Sequence, residues 1–308
     1  MQALTLSAEL ILVLLVGLFA QKLRVIGPEF NKQVSAFVLK IALPCMIIDS
    51  MNVPDAMNKL IQNAWILVIS VAVLVIGFLV GLLMGKLLKK HIAERIIRFG
   101  ATFTNFNFFG VVVVEKLGGE ELLFYYLIFI IPVRLTIYLL AKIILMPKEN
   151  REAKMNFKAK LKMVISAPLV AVFIGLALSF FKVRVPVVIQ YGLDQLGMLA
   201  SPLGILLCGS TLGCHAVKKM VTKSSLIMSG IRNFLMPLIV WLLCRGLRLP
   251  EMYTSLAVIY SALPVASLTS TYVLQYDPDP KAHLDGAGFV FVSTLLSAAS
   301  LSIFTLLL

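Results

Sequence analysis

Residues 100–114, GATFTNFNFFGVVVV, place two asparagine amides directly before a run of valines. An amide in an apolar environment costs about 2 kcal/mol or more unless it forms hydrogen bonds. Asn105 and Asn107 therefore either bond neighbouring helices or face a specific polar ligand, to which they would supply orientation and hydrogen bonds. The segment is a candidate binding site under the second alternative.

Two charged residues lie within other apolar segments. Arg134, in FIIPVRLTIYLL, is far from either end of its segment, so it binds an anionic ligand or forms a structural ion pair. Asp49, in MIIDSMN, is either a carrier of a coupling proton, since burial favours the neutral form of a carboxyl group, or a polar cap at a helix end. Both residues are candidates for function.

Motifs of catalytic, cofactor and metal sites are absent from the sequence. It contains no H-E-x-x-H, no clustered acids and no G-x-x-x-x-G-K-[ST], so it predicts neither an enzyme nor a cofactor or nucleotide site. The three histidines do not cluster and the four cysteines form no C-x-x-C pair, so we expect no metal site.

The elements that must position these residues are long apolar helices. The chain has 308 residues, of which 60% are hydrophobic, and its mean hydropathy is +0.97. This composition predicts an all-α integral membrane protein rather than a soluble one. We expect ten transmembrane helices, at 4–21, 33–52, 63–85, 97–115, 122–146, 161–181, 187–213, 224–244, 252–274 and 284–307.

Lysine and arginine residues indicate the orientation. Connections after odd-numbered spans hold 18 of them and those after even-numbered spans hold 6. Because cytoplasmic loops are enriched in these residues, both termini should lie outside the cell membrane. The net charge of +13 resides largely in short loops that flank the membrane, which indicates contact with lipid and not with nucleic acid.

An internal repeat is expected because the charged segment 147–160 separates five predicted spans from five others. Pro44 in the second span and Pro202 in the seventh are 158 residues apart, and both are candidate helix breaks. The same offset aligns Asn105–Gly110 with Leu263–Leu268, where Pro264 is a third candidate break. Five spans are an odd number, so the repeats 1–146 and 161–308 should be inverted, which is typical of secondary transporters.

Several motifs resemble the auxin efflux carrier family, which includes plant auxin exporters and bacterial permeases for malate and related carboxylates. They are GPEFNKQVSAFVLKIALPCMIIDSM, FTNFNFFGVVVVEKLGGEELLFYYLIF, SPLGILLCGSTL, SALPVAS and VSTLLSAASL. The resemblance implies a fold similar to that of bile-acid sodium symporters, in which the fourth and ninth helices are broken and cross. It also implies transport of an organic anion and a homodimer formed through spans one, two, six and seven.

One departure from the family pattern concerns the fourth span. The family reads roughly N-x-G-F-x-G-x-P there, whereas this chain has Asn107 at the first glycine position and Val112 at the proline position. Without that proline, the helix break should depend on Gly110 and on the asparagine side chains.

The broken helices predict an anion site. If their second halves begin near Gly110 and at Pro264, both helix N-termini point to the membrane midplane, where unpaired amides and helix dipoles favour an anion. Beside these ends lie the other candidate substrate-binding residues, which are Asn105, Asn107, Phe109, Val265, Ser267, Thr269 and Arg134. Ser267 and Thr269 either contact substrate or bond their own helix.

We therefore expect a secondary transporter of a small mono- or dicarboxylate, with H⁺ or Na⁺ as a possible coupling ion. The alternatives are a receptor with a transporter fold and a channel. The run GSTLG at 209–213 is expected to be a small-residue surface for helix packing.

Overall fold

The structure is a computed structural model that describes residues 2–53, 55–88, 92–145, 166–183, 185–213, 220–277 and 279–308. The predicted linker 147–160 and the first residues of the sixth predicted span lie outside the described residues. Every regular element in the described ranges is helical, which confirms the all-α class.

The α-helices of the described residues are numbered in chain order. They are α1 (Gln2–Lys22), α2 (Pro28–Phe37), α3 (Leu43–Met51), α4 (Ala56–Gln62), α5 (Trp65–Leu88), α6 (Glu94–Thr102), α7 (Val111–Leu145), α8 (Ala167–Phe180), α9 (Val187–Met198), α10 (Ala200–Gly213), α11 (Lys223–Gly230), α12 (Met236–Gly246), α13 (Glu251–Ala262), α14 (Leu268–Tyr276) and α15 (Pro280–Thr305). Three π-helical turns occupy Val38–Ala42, Phe106–Gly110 and Ile231–Leu235.

Six helical stretches in the described part of the chain are long and apolar enough to cross a membrane. They are Glu29–Met51, Trp65–Leu88, Phe106–Ala141, Val187–Ser210, Lys223–Gly246 and Pro280–Thr305. The first and sixth predicted spans contain shorter apolar helices, and the ninth is interrupted. These stretches support a multi-pass membrane protein, whereas the number of ten spans stays a prediction.

The stretch Phe106–Ala141 contains parts of two predicted spans because the chain reverses at Gly119. Gly119 has φ 61° and ψ −161°, a conformation that favours glycine. The Tyr126 hydroxyl donates to the Phe106 carbonyl oxygen at 3.1 Å, although 20 residues of straight helix would separate them by about 30 Å. The predicted boundary between 97–115 and 122–146 therefore corresponds to a sharp turn.

The predicted helix break at Pro44 is wrong. The π-turn Val38–Ala42 precedes Pro44, which occupies the first turn of α3, and Ala42 and Leu43 keep helical φ and ψ. The π-turn accommodates the proline without a break, because the wider turn leaves one backbone position without the usual i→i−4 partner and the missing N–H of proline can fall there. Pro202 likewise lies near the start of α10, where only Leu199 separates two helices that continue as one span.

Two helices are interrupted by extended backbone. α6 ends at Thr102 and α13 ends at Ala262, and the residues that follow, Thr104 and Val265, form an isolated antiparallel β-bridge. We call residues 103–105 and 263–267 the crossing. The helical structure resumes at Phe106 and at Leu268.

These restart points correct the prediction, which had them near Gly110 and at Pro264. Pro264 does interrupt its helix, but the three residues after it remain outside α14, because this segment pairs with the one after α6. In the fourth span the break lies five residues before Gly110, where Asn105 caps the π-turn.

Many of the helix contacts lie within two groups, which are joined by the contact of α1 with α15. One group contains α1 against α10 and α3 against both α8 and α9, which correspond to predicted spans one, two, six and seven. The other contains α5 against α6, α12 against α13, and α15 against α11 and α14. The crossing belongs to the second group.

Glycine residues permit close helix contacts in both groups. On α5, Gly77, Gly81 and Gly85 face the backbone and side chains of α6 at four-residue spacing. A Cβ atom at Gly209 or Gly213 of α10 would overlap the α1 backbone, so the prediction of a packing surface at 209–213 is confirmed. Small residues of this kind let membrane helices approach closely.

The effect of an added methyl group should differ between a glycine in a close helix contact and a glycine with open space around it. We expect Gly209→Ala to lower the melting temperature of the purified protein, because the Cβ would overlap the Leu14 carbonyl oxygen and overpacking costs about 1–3 kcal/mol. Gly192→Ala is the matched control, since no atom lies within 4 Å of its added Cβ. Equal melting temperatures for the two variants would contradict the proposed close contact of α1 and α10.

Candidate functional site

The crossing is held by two backbone hydrogen bonds. The Asn105 amide donates to the Pro264 carbonyl oxygen at 2.8 Å, and the Ala266 amide donates to the Phe103 carbonyl oxygen at 3.1 Å. The backbone here is buried and non-helical, so these bonds replace those that a continuous helix would have formed. The two interrupted helices therefore support each other.

Asn105 connects three parts of the molecule. Its side-chain NH₂ group donates to the Ser267 hydroxyl at 2.9 Å and to the Cys208 sulfur at 3.1 Å on α10. Its side-chain oxygen accepts from the Phe108 amide at 3.3 Å and so caps the π-turn. The prediction that Asn105 stabilises the break by bonding freed backbone groups is confirmed, and its amide also bonds a neighbouring helix.

A small cavity lies beside the crossing. Its volume is about 30 Å³, and its lining includes Leu39, Thr104, Asn105, Asn107, Ile137 and Ser267. This volume corresponds to about one water molecule. Three of the predicted site residues, Asn105, Asn107 and Ser267, thus share one cavity, which must widen before it can hold an organic molecule.

Arg134 reaches this cavity through Asn107. The guanidinium is fully buried, donates from Nη2 to the Asn107 side-chain oxygen at 2.9 Å and lies 5.8 Å from the centre of the Phe106 ring. Arg134 thus sets the orientation of Asn107 and adds positive charge next to the cavity.

The remaining predicted residues lie in or around the crossing without lining the cavity. Phe109 and Thr269 are buried, and the Val265 amide donates to the Ser293 hydroxyl at 2.9 Å. Gly110 packs against Tyr126, whose hydroxyl would overlap any Cβ at that position. Gly110 is therefore required for close packing on α7 and not for the helix break itself.

Asp49 lies in a different place. The Gln190 side-chain amide donates to the carboxylates of both Asp49 and Asp194, so α3 and α9 are joined by a cluster of two acids and one amide. The cluster is only partly buried. Leu39, which lines the cavity, lies in the π-turn before α3, ten residues before Asp49 in the chain. Asp49 is therefore not part of the crossing.

Sequence reasoning missed several residues at or near the site. Cys208 and Tyr126 contribute through contacts between distant segments, for which the sequence offers no signal. Arg232 is different, because it lies in the middle of the predicted span 224–244 and is fully buried. Arg134 was selected because it is a charged residue far from the ends of an apolar span, and the same criterion applies to Arg232.

Comparison with protein families identifies the chain. A family model described as "Membrane transport protein" matches residues 3–305. The chain belongs to this family of auxin efflux carrier-type transporters. A search of curated proteins finds no match.

Membership of the membrane transport protein family establishes a membrane transporter. The match spans both interrupted helices, so the crossing is part of the region that is characteristic of the family. In the described residues, no group of three or more His, Cys, Asp or Glu side chains is arranged to hold a metal ion.

The bond between Arg134 and Asn107 leads to a stability prediction. Asn107→Leu removes one acceptor from a buried guanidinium, and a hydrogen bond to a charged group is worth about 1.5–3 kcal/mol, so the melting temperature should fall. Asn107→Asp replaces the amide oxygen by a carboxylate and should melt at or above the wild-type temperature. A leucine variant more stable than the aspartate variant would contradict the assigned contact.

Proposed function

We propose that this protein is a secondary transporter of a small organic anion, such as a mono- or dicarboxylate, and that the anion binds at the crossing. The observation that carries the proposal is the meeting of two interrupted helices whose second halves restart beside one polar cavity. Such helix restarts within a membrane are typical of substrate sites in secondary transporters.

Electrostatics favours an anion as the substrate. The π-turn that begins at Phe106 leads into α7, and α14 begins at Leu268, so the first amides of both segments face the crossing. Each helix start carries roughly half a positive charge, and the Arg134 guanidinium adds a full charge behind Asn107. The Asn105 and Asn107 amides and the Ser267 hydroxyl would orient a carboxylate among these charges.

The cavity of about 30 Å³ implies that binding requires a conformational change. The Asn105 NH₂ group is bonded to Ser267 and Cys208, so it must exchange at least one of these bonds for the substrate. Relative movement of the two helix groups would widen the cavity, since Cys208 lies in one group and the crossing in the other. This movement is the alternating access that we propose.

The proposed topology is an inverted repeat of five spans, 1–146 and 161–308, joined by a cytoplasmic linker at 147–160, with both termini outside the cell membrane. The distribution of basic residues supports the orientation. The repeat is supported by the crossing, where Thr104 pairs with Val265, 161 residues later, close to the offset of 158 between Pro44 and Pro202.

A homodimer through spans one, two, six and seven is part of the same proposal. These spans pack as one group, and α9 exposes Val187, Val188 and Tyr191 on its outer surface. This surface suits contact with lipid or with a second copy of the chain.

Transport assays distinguish the proposal from a channel or a receptor. Proteoliposomes should show saturable exchange of the anion, whereas a channel would carry ohmic current and a receptor neither. A thermal-shift screen of mono- and dicarboxylates on the purified protein identifies the ligand, because a ligand that binds only the folded state raises the melting temperature.

Substitution of Asn105 tests the position of the site. We expect Asn105→Ala to weaken the binding of the identified carboxylate roughly 10- to 150-fold, since it removes a hydrogen bond worth about 1.5–3 kcal/mol. Asn105→Asp should bind still more weakly, because it adds a like charge beside the anion. Cys208→Ala is the matched control: it removes a partner of Asn105 that does not line the cavity and should retain most of the affinity. Wild-type affinity in both Asn105 variants would show that the anion binds elsewhere.

Asp49 remains a candidate for proton coupling. If it carries the proton, Asp49→Asn should abolish accumulation driven by a pH gradient but leave anion exchange, which needs no net proton movement. Asp194→Asn is the matched control, because it removes the other carboxylate on Gln190. Unchanged accumulation in the Asp49 variant would leave only the capping role.

A further inference from the structure

Arg232 is a second buried guanidinium, and the proposed anion site does not use it. It lies in the π-turn Ile231–Leu235, between α11 and α12, and is 1% exposed. A charged side chain at this depth is costly unless it is compensated. Among the described residues, no acidic side chain forms an ion pair with Arg232.

Its partners are backbone carbonyl groups at the ends of two helices. Nε donates to the Gly100 carbonyl oxygen at 3.3 Å, and Nη1 donates to the Ser261 carbonyl oxygen. Gly100 lies in the last turn of α6 and Ser261 in the last turn of α13. One guanidinium therefore binds the C-terminal ends of both interrupted helices.

These two carbonyl groups are equivalent positions of the two helices. Ser261 follows Gly100 by 161 residues, which is also the separation of Thr104 and Val265 in the bridge. A local two-fold rotation that exchanges the strands of the bridge thus also exchanges the two acceptors. The guanidinium lies where the symmetry brings two equivalent carbonyl ends together.

The charges at the crossing explain why a cation is needed there. Two helices begin at the crossing and two end there, so it contains two partially positive and two partially negative helix ends. An anion can bind only the positive ends. The negative ends, buried among apolar residues, require a cation or hydrogen-bond donors of their own.

We propose that Arg232 is the built-in counter-cation of the crossing and occupies the position at which a monovalent metal ion would otherwise bind between the Gly100 and Ser261 carbonyl oxygens. Carbonyl oxygens are hard ligands that suit alkali-metal ions. The wild-type crossing then needs no Na⁺, and loss of the guanidinium creates a site for one. The proposal is independent of the transported anion.

The test measures the melting temperature of the purified full-length protein in LiCl, NaCl, KCl and choline chloride at equal ionic strength. Arg232→Met removes the charge at similar side-chain length, and Arg232→Lys keeps it. Arg245→Met is the matched control, because it removes an exposed arginine of α12. No carboxylate is added, so failure of the anion site cannot affect the result.

Wild type, Arg232→Lys and Arg245→Met should melt at temperatures that do not differ between the salts. Arg232→Met should melt lower in choline, and an alkali-metal ion at roughly ten times its dissociation constant should raise the value by about 2 °C. Two results would overturn the proposal: an Arg232→Met variant as stable as wild type in choline, or a loss of stability that no alkali-metal ion reverses. If the methionine variant does not fold, the lysine variant decides, because a requirement for charge predicts that it folds and melts independently of the salt.

Discussion

The fold depends on one constraint, which is that non-helical backbone inside a membrane must find hydrogen-bond partners within the protein. The residues that follow α6 and α13 satisfy it by pairing with each other at the Thr104–Val265 bridge. Once paired, they fix the four helix ends around a single point. Around this pairing, three side chains form hydrogen bonds: Asn105 with Ser267, Arg134 with Asn107, and Arg232 with the Gly100 carbonyl oxygen.

The two buried arginines lie next to helix ends of opposite partial charge. Arg134 adds positive charge on the side where helices begin, with its guanidinium held by Asn107 next to the cavity. Arg232 binds the side where helices end, on two equivalent carbonyl groups. Under the two proposals, the positive side lies next to the cavity, where an anion would bind, and the negative side is compensated without a bound metal ion. This division underlies both the proposed function and the further inference.

The sequence predicted the class of the fold and the residues near the site better than it predicted their geometry. Apolar runs indicated membrane helices, and Pro264 correctly indicated an interruption. Pro44 did not interrupt its helix, since a π-turn accommodates it, and the break in the fourth span lies before Gly110 and not at it. The position of a break depends on which extended segment pairs with which, and local sequence does not contain that information. The contacts of Asn105 with Cys208 and Ser267 join residues more than 100 positions apart and were inaccessible for the same reason.

The central claim is that an organic anion binds between the restarts of the two interrupted helices. An experimental structure with a brominated analogue of the carboxylate found by thermal shift tests it most directly, because the anomalous signal of bromine locates the ligand independently of its shape. We predict a bromine peak at the crossing, with the carboxylate within hydrogen-bond distance of Asn105 and a cavity larger than about 30 Å³. A ligand bound elsewhere at full occupancy, with the Asn105 bonds to Ser267 and Cys208 intact, would contradict the account.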